Sequence, residues 1–313
     1  MKRKIKIVNE EMTLLEAFEA FIQEKEANGL AASTIRNYTQ SFGTFCEYNE
    51  FTATTGITEI NEGIIIRWIN HMRKEEISPS SMNHYIRDIR AFLNWCQKRD
   101  YIEKIEIREV KKQEEVPKFF KDEDLEKLLE KPRAKDSFVE WRTWAIVNTV
   151  LATGARASTI SEMKISDVDF NKKEISLAHT KNKKAQNIPL SASLENVLRE
   201  YMRKYGLTTY LFPNVGDEKL TINAISHSFS KYCRDREVEQ TNIHGLRHSF
   251  ARSWIKNGGS AFALQRILGH QNLTMTQRYV KLYAEDLKED YEDFSALDVM
   301  KKKAKRTSAF KKG

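Results

Sequence analysis

The first hundred residues carry four apolar stripes of helical period, and this pattern constrains the fold more than any other feature of the chain. Thr13 and Glu16 fit a capping box, and Pro79 directly after Ser78 fits the first turn of a helix. Each stripe repeats every three or four residues, as expected for a helix that buries one face. The stripes are Ala17, Phe18, Phe21 and Ile22; Tyr38, Phe42 and Phe45; Ile64, Ile65, Trp68, Ile69 and Met72; and Met82, Tyr85, Ile86, Ile89, Phe92, Leu93 and Cys96. Together they predict a compact helical bundle over 1–102.

A charged stretch and a change of pattern divide the chain. Residues 103–118 are rich in Lys and Glu and contain Pro117, which predicts an interdomain linker. The second domain is expected over 119–300, mostly helical with a small antiparallel β-sheet. A helix should start at 121–125, and others should cover 141–151, 192–205, 222–236, 243–257, 260–268 and 274–282, with a hairpin at 167–177 and a strand at 186–189. The predicted fold is therefore mainly α, in two domains followed by a basic tail at 301–313.

The composition fits a cytoplasmic protein with an anionic partner. Hydrophobic residues make up 40% of the 313 and charged residues 31%, and there is no apolar run long enough for a membrane span and no secretory signal. Three separated cysteines, Cys46, Cys96 and Cys233, argue against a disulfide framework or a zinc site. The net charge is +8, and the tail at 301–313 alone holds seven Lys or Arg and no acid. That tail fits either a solvated segment or a further contact with a partner.

Five residues of the second domain have the chemistry that phosphodiester exchange requires. Arg156 and Arg247 can hold an anionic phosphorus centre in bidentate fashion. His244 and His270 can move a proton near neutral pH, and Tyr279 can form a covalent bond to phosphorus. Their contexts are Ala-Thr-Gly-Ala-Arg at 152–156, His-Gly-Leu-Arg-His at 244–248, Leu-Gly-His at 268–270 and Gln-Arg-Tyr at 277–279.

In order, spacing and context, this series resembles the tyrosine recombinase (phage integrase) superfamily over nearly the whole chain. The resemblance implies a SAM-like core-binding domain at 1–102, which contacts DNA, and a catalytic domain at 119–300. It adds Lys181, in the segment Thr-Lys-Asn-Lys-Lys at 180–184, as the general acid of a β-hairpin. The implied activity is site-specific cutting and rejoining of DNA through a 3′-phosphotyrosine on Tyr279, with no cofactor and no metal.

The resemblance also implies the partners, which are double-stranded DNA and further copies of the chain, with no membrane. A C-terminal helix at 285–297, with Leu287, Tyr291 and Phe294 on one stripe, would dock into a neighbouring protomer of a tetramer on two DNA sites. The same stripe also fits a helix packed on its own domain. The candidate DNA contacts, each of which also fits an ordinary exposed polar residue, are Ser33, Thr34, Arg36, Asn37, Ser80, Asn83, Arg87, Arg90, Lys183 and Lys184.

Arg156 has a structural alternative, and its surroundings depart from the family pattern. At the start of a helix, Arg156 also fits a salt bridge with Glu162 or Asp167. Thr159 stands three positions after it, where the family usually has an acidic residue. Because the other motifs are intact, we interpret Thr159 as a variation.

The remaining assignments also have alternatives. His244 and His248 share a helical face at metal-ligand spacing, but the intervening Gly-Leu-Arg lacks the glutamate of a zinc protease, so His248 is predicted to pack or to support the site. His270 also fits a turn histidine. The lysine segment also fits a solvated loop, with Lys183 or Lys184 as rival general acids. Tyr283 is the rival nucleophile, and spacing from His270 favours Tyr279.

Four biological readings share this chemistry to different degrees. The integrase or transposase of a mobile element is the first expectation, and a housekeeping Xer-type chromosome-dimer resolvase is the alternative. A type IB topoisomerase-like enzyme would reseal the same strand without an oligomer. A silent DNA-binding protein would not need Tyr279, whose presence argues against that reading.

Overall fold

The computed structural model of the chain describes residues 12–112, 117–177, 186–270 and 273–282. The chain divides into two compact units, 1–115 (unit 1) and 116–313 (unit 2). Their described parts are mostly helical with one small antiparallel sheet, so the fold class predicted from the sequence is confirmed. Among the described helices, none is both long and apolar enough to cross a membrane.

Unit 1 is a bundle of four helices, the first and last of which start after the caps expected from the sequence, Thr13 and Ser78. They are α1 (Leu14–Ala27), α2 (Ala32–Tyr48), α3 (Glu62–Lys74) and α4 (Pro79–Lys98). The Thr13 hydroxyl accepts a hydrogen bond from the Glu16 backbone, and the Glu16 carboxylate accepts one from the Thr13 backbone. Asn61 and Ser78 cap α3 and α4 through their side-chain oxygens. These bonds satisfy N–H groups that the first turn of a helix leaves without partners.

Aromatic side chains fill the core of unit 1. The rings of Phe18 on α1 and Phe42 on α2 stack with their centroids 3.7 Å apart, and Phe92 on α4 meets both edge-on at 5.3 and 5.6 Å. Phe21 and Trp95 extend the contact between α1 and α4. Aromatic pairs contribute about 0.5–1.5 kcal/mol each beyond their buried area, so these rings hold the three helices against one another.

The start of the stretch predicted as a linker lies against unit 1. Ile105 and Ile107 are buried in its core. The Asn83 side chain accepts a hydrogen bond from the Val110 N–H at 2.8 Å and donates one to the Val110 carbonyl at 2.9 Å. Ile105 and Ile107 alternate with charged residues over only a few positions, which is too short a stretch to indicate this packing. Asn83, expected to contact DNA, is instead buried and holds the chain that follows α4.

The described part of unit 2 contains eight helices, one of which is buried at its centre. They are α5 (Asp122–Leu129), α6 (Phe138–Thr153), α7 (Ala157–Glu162), α8 (Ala192–Tyr205), α9 (Ile222–Arg234), α10 (His244–Lys256), α11 (Ala261–Leu268) and α12 (Leu273–Leu282). Helix α6 is buried along most of its length, with α5, α8, α9 and α10 packed against it. Ahead of α5, the Phe120 N–H donates to the Ser249 hydroxyl of α10 at 2.9 Å. The six-residue α7 is too short for a periodic pattern and was not predicted.

A small sheet covers one side of unit 2. Its strands β1 (Val168–Asp169), β2 (Glu174–Leu177) and β3 (Gln186–Pro189) run antiparallel in that order. Ile175 lies opposite both Val168 and Ile188, and all three side chains are buried, so one face of the sheet packs on the core. The expected hairpin and third strand are therefore present.

Replacing Asn83 by alanine is expected to lower the free energy of unfolding by about 1–3 kcal/mol, because both backbone groups of Val110 lose a buried partner. Urea unfolding of the full chain measures this change. Ser80→Ala is the control: Ser80 is exposed on the same helix, and its loss should change stability by less than about 0.5 kcal/mol. An Asn83→Ala protein as stable as the parent would contradict the packing role.

Candidate active site

The C-terminal end of α6 forms one wall of the site through a single glycine. Gly154 ends the helix at φ +65°, and a Cβ there would lie 2.6 Å from Phe250 and 2.7 Å from Leu268. Both the backbone conformation and the close approach require glycine. The absence of a side chain lets α6 meet α10 and α11 and brings the Gly154 carbonyl to Arg247.

Arg247 is the buried centre of the site. It lies in the first turn of α10 and is 3% exposed, and its guanidinium donates to the carbonyls of Gly154 at 2.5 Å and Leu268 at 2.7 Å. These carbonyls end α6 and α11, where the helix dipole places partial negative charge. Burial, and then the charge of Arg156, lower the pKa of Arg247 to about 9. The protein therefore offsets only part of the cost of burying this cation.

The two arginines have no acidic partner in the described part of the chain. Arg156 caps the start of α7 and is half-buried, and burial lowers its pKa. Within those residues, no carboxylate forms an ion pair with Arg156 or Arg247. Glu162 pairs with Lys219, and Asp167 accepts a hydrogen bond from a backbone N–H in its own turn, so the salt-bridge alternative for Arg156 is not what the structure contains. Two neighbouring guanidiniums without a counterion form a binding site for an anion.

His270 links α12 to the arginine. It follows Gly269, which ends α11 at φ +61°. Its Nδ1 lies 2.9 Å from the Thr276 hydroxyl, and its Nε2 lies 3.2 Å from a guanidinium nitrogen of Arg247. Because a guanidinium only donates, Nε2 accepts and the ring proton is on Nδ1. Burial, and then the charges of Arg247 and Arg156, lower the pKa of His270 to about 4, so the ring is neutral at pH 7.

Tyr279 lies inside the site on α12. It is 5% exposed, and its ring packs in a small apolar cluster with Phe250 and Leu268. Its hydroxyl lies 2.7 Å from Nδ1 of His248. The structure thus brings this tyrosine to the arginines and histidines, whereas the rival Tyr283 lies outside the described residues.

His248, predicted to pack or to support the site, directly contacts the tyrosine that the sequence picks as nucleophile. Its ring meets that of His244 edge-on, with centroids 4.7 Å apart at 85°. Burial comes first, followed by the charges of His244 and two nearby arginines, in lowering the pKa of His248 to about 4. His244 is more exposed than His248. Burial, and then the charges of Arg247 and Arg156, lower the pKa of His244. The signal for His248 is its spacing of four residues from His244, which puts both on one helical face.

The strand β3, which follows the lysine candidates in the sequence, contacts α11. Lys181, Lys183 and Lys184 lie outside the described residues. At the start of β3, the Gln186 amide donates to the Arg266 carbonyl of α11. Its Oε1 would be 3.7 Å from a Cβ on Gly269. The start of β3 is therefore held beside the turn that carries His270. No sequence pattern indicated Gln186, because its role depends on this tertiary contact.

The candidate DNA contacts of unit 1 are mostly on its surface. The exposed ones are Ser33, Arg36, Asn37, Ser80 and Arg87, and the half-exposed ones are Thr34 and Arg90. Arg90 forms an ion pair with Glu109 at 3.4 Å, so part of its charge is already engaged. Their contact with DNA stays a prediction.

Two family models match the chain, one for each unit. The model of the phage integrase SAM-like domain matches residues 13–112, and that of the phage integrase family matches residues 118–286. The chain belongs to the phage integrase family. As a member, it is a tyrosine site-specific recombinase, which confirms the resemblance seen in the sequence.

Relatives of this phage integrase family member are similar over almost their full length. Tyrosine recombinase XerC of Lacticaseibacillus casei (strain BL23) is 24% identical over 299 residues, which cover 90% of this chain and 97% of the relative. Tyrosine recombinase XerA of Pyrococcus furiosus (strain ATCC 43587 / DSM 3638 / JCM 8422 / Vc1) is 27% identical over 290 residues, with 90% and 95% covered.

Solved structures share the fold of this family member. The integrase of transposon Tn1549, in complex with a circular intermediate DNA, gives a TM-score of 0.71 at 17% identity and covers 86% of this chain and 95% of its own. A lambda integrase tetramer bound to a Holliday junction gives 0.71 at 16% identity, with 89% and 81% covered. These likenesses support the two-domain integrase fold.

Gly154→Ala is expected to destabilise unit 2 by about 1–3 kcal/mol, because its Cβ collides with Phe250 and Leu268 at a left-handed backbone position. The shifted carbonyl should also loosen Arg247 and reduce DNA cleavage. Gly206→Ala is a matched control, since Gly206 ends α8 at φ +56° with open space around it; its cost should stay near 1 kcal/mol. Urea unfolding and a cleavage assay compare the two. Equal losses in both variants would contradict the packing role of Gly154.

Stability is expected to fall as the pH drops from about 6.5 to about 4. The pKa values of His248 and His270 are about 4 in the folded protein, below the ordinary value of about 6.5, so the unfolded chain binds protons that the folded protein does not. The slope is at most about 1.4 kcal/mol per pH unit per histidine, and solvent reduces it. Urea unfolding across this range measures it. His270→Asn should give a shallower slope, and an unchanged slope would contradict the burial of a neutral ring.

Proposed function

We propose that the protein cuts and rejoins DNA through a covalent bond between Tyr279 and a 3′-phosphate. The tyrosine oxygen attacks the scissile phosphorus, a P–O bond to Tyr279 forms, and the bond to the 5′-oxygen of the next nucleotide breaks. The 5′-hydroxyl of a partner strand then attacks the phosphotyrosine and releases Tyr279. One phosphodiester replaces another, so these steps require no ATP.

The pair of guanidiniums beside the tyrosine is the observation that carries this proposal. Arg156 and Arg247 have no carboxylate partner among the described residues, and both interact electrostatically with Tyr279. A phosphate held by both would receive charge-assisted hydrogen bonds in a partly buried setting, where such bonds are strong. The same phosphate would supply the anionic partner that the buried Arg247 lacks among the described residues.

The remaining side chains handle protons and the charge of the transition state. Lys181 is proposed to protonate the departing 5′-oxygen. The tyrosine proton passes to a histidine at the start of α10, which the family resemblance assigns to His244. His270 accepts a hydrogen bond from Arg247 through Nε2. Once phosphate charge favours its protonation, we propose that the ring exchanges this bond for one donated from Nε2 to an oxygen of the pentacoordinate phosphorus centre.

Double-stranded DNA is the proposed substrate. Because the substrate is DNA, we propose that the protein acts in the cytoplasm or nucleoid. Several solved neighbours are complexes with DNA, and one is a lambda integrase tetramer bound to a Holliday junction. By analogy we propose four protomers on two DNA sites, with the segment 285–297 as the contact between protomers. The exposed polar residues of α2 and α4 are the proposed DNA contacts of unit 1, and Lys183 and Lys184 those of the lysine segment.

For the biological role we favour a mobile-element integrase or transposase. The structural likeness to the Tn1549 transposon integrase supports it. A housekeeping chromosome-dimer resolvase is the second candidate, and the names XerC, XerD and XerA of the relatives favour that reading. Sequencing of genomic DNA trapped on the protein separates the two. Sites flanking its own gene support the mobile element, and one site elsewhere on the chromosome supports the resolvase.

Tyr279→Phe is expected to abolish covalent attachment to DNA, because the nucleophilic oxygen is removed. The assay incubates nicked, end-labelled duplexes, tiled from the DNA flanking the gene, with protein in the absence of metal and ATP. A nick next to the cleaved phosphate releases a short fragment and traps the adduct, which a denaturing protein gel detects. Tyr283→Phe is the matched control and should still form the labelled band.

The outcomes discriminate between the candidate activities. A band lost in Tyr279→Phe and kept in Tyr283→Phe supports the proposed nucleophile. The reverse pattern would assign the chemistry to Tyr283. If neither the variants nor the parent form an adduct, relaxation of supercoiled plasmid tests whether strand cleavage occurs at all. An absence of relaxation would support a silent DNA-binding protein.

A further inference from the structure

We propose that His248, rather than His244, accepts the proton of Tyr279 when this tyrosine attacks DNA. The inference rests on the covalent mechanism proposed above and assigns one of its proton transfers to a residue outside the family series.

The geometry of the hydrogen bond places His248 in reach of the reacting atom. Its Nδ1 is 2.7 Å from the Tyr279 hydroxyl oxygen, within the range of about 2.6–3.2 Å required of a general base. The tyrosine ring is fixed by its packing against Phe250 and Leu268, so the hydroxyl has a defined position opposite α10. The pair therefore joins α10 to α12 at the atom that must lose a proton.

The hydrogen bonds of His270 go to Thr276 through Nδ1 and to Arg247 through Nε2. The ring of His244 packs edge-on against that of His248, with centroids 4.7 Å apart. Proton acceptance by His248 requires no rearrangement of these contacts, because its hydrogen bond to the tyrosine already exists.

The charges around His248 set when it becomes a base. His244 and Arg247 face it from its own helix, Arg278 and Tyr279 from α12, and His270 from the turn before α12. Burial, and then the charges of His244, Arg247 and Arg278, lower the pKa of His248 to about 4, so the free enzyme holds a neutral ring. A phosphate bound to the arginines opposes the cationic effect and increases the affinity of the ring for a proton. Substrate binding thus strengthens the base where and when it is needed.

The proton transfers balance over the two steps. During cleavage, the Tyr279 O–H bond breaks, the proton moves to Nδ1 of His248, and the tyrosine oxygen bonds to phosphorus. With Nδ1 accepting from the hydroxyl, the neutral ring carries its own proton on Nε2, so His248 becomes an imidazolium while the phosphotyrosine exists. During rejoining, the bond between phosphorus and the tyrosine oxygen breaks, and Nδ1 returns its proton to that oxygen.

Two substitutions separate proton acceptance from positioning. His248→Asn keeps an acceptor oxygen near the place of Nδ1 but cannot take up the proton, and His248→Ala removes the acceptor. Both should slow adduct formation on the nicked duplex by about 10²–10⁴-fold, with DNA affinity and unfolding midpoint close to those of the parent. His244→Asn serves as the comparison, since the family resemblance assigns the proton to that residue.

A more acidic nucleophile provides a readout that a purely structural role would not move. Tyr279 is replaced by a fluorinated tyrosine in the parent, in His248→Asn and in His244→Asn. The deficit of His248→Asn should shrink to within about tenfold of its fluorinated parent, because a more acidic phenol needs less help from a base. Raising the pH should reduce the deficit in the same direction.

Three results would overturn the assignment. Cleavage by His248→Asn as fast as by the parent would leave His248 with a positioning role alone. Rescue of His244→Asn but not of His248→Asn by the acidic tyrosine would return the proton to His244. If the parent itself binds DNA but forms no adduct and relaxes no supercoiled plasmid, the covalent mechanism fails, and this outcome is distinct because no variant is needed to observe it.

Discussion

The site depends on one buried cation held by the ends of two helices. Arg247 donates to carbonyls at the C-terminal ends of α6 and α11. Among the described residues, no carboxylate forms an ion pair with it. Helix dipoles stabilise the charge only in part, as its lowered pKa indicates. The interactions that assemble the helices therefore also prepare an anion site. Binding of a phosphate and stability of unit 2 should be thermodynamically linked.

The neutral state of the histidines follows first from burial and then from the same cation. His248 and His270 lie beside Arg247, and the protein around them removes much of the water that would solvate a positive ring. Neutral rings accept hydrogen bonds, which is how His270 contacts the guanidinium and how His248 can face a phenol. If these rings were protonated, they would add positive charge beside Arg247 and Arg156 and would repel both guanidiniums.

The sequence predicts those features that depend on local pattern or on distinctive chemistry. The four stripes of unit 1 and the Thr13 cap are local, and the ordered arginine, histidine and tyrosine series identifies the family. Features created by tertiary contact were missed or wrongly assigned. Asn83 has the composition of a surface residue, yet it is buried by a backbone segment 27 positions later. The contact between His248 and Tyr279 also has no local pattern, because it forms only where α12 packs on α10.

The anchoring of Val110 also sets the length of the tether between the two units. Val110 is fixed to unit 1 by Asn83, and Phe120 is fixed to α10 by Ser249. The ten residues from one anchor to the other span at most about 35 Å when fully extended. The encounter of one unit with a ligand held by the other is therefore an intramolecular event, limited by the length of this segment rather than by protein concentration.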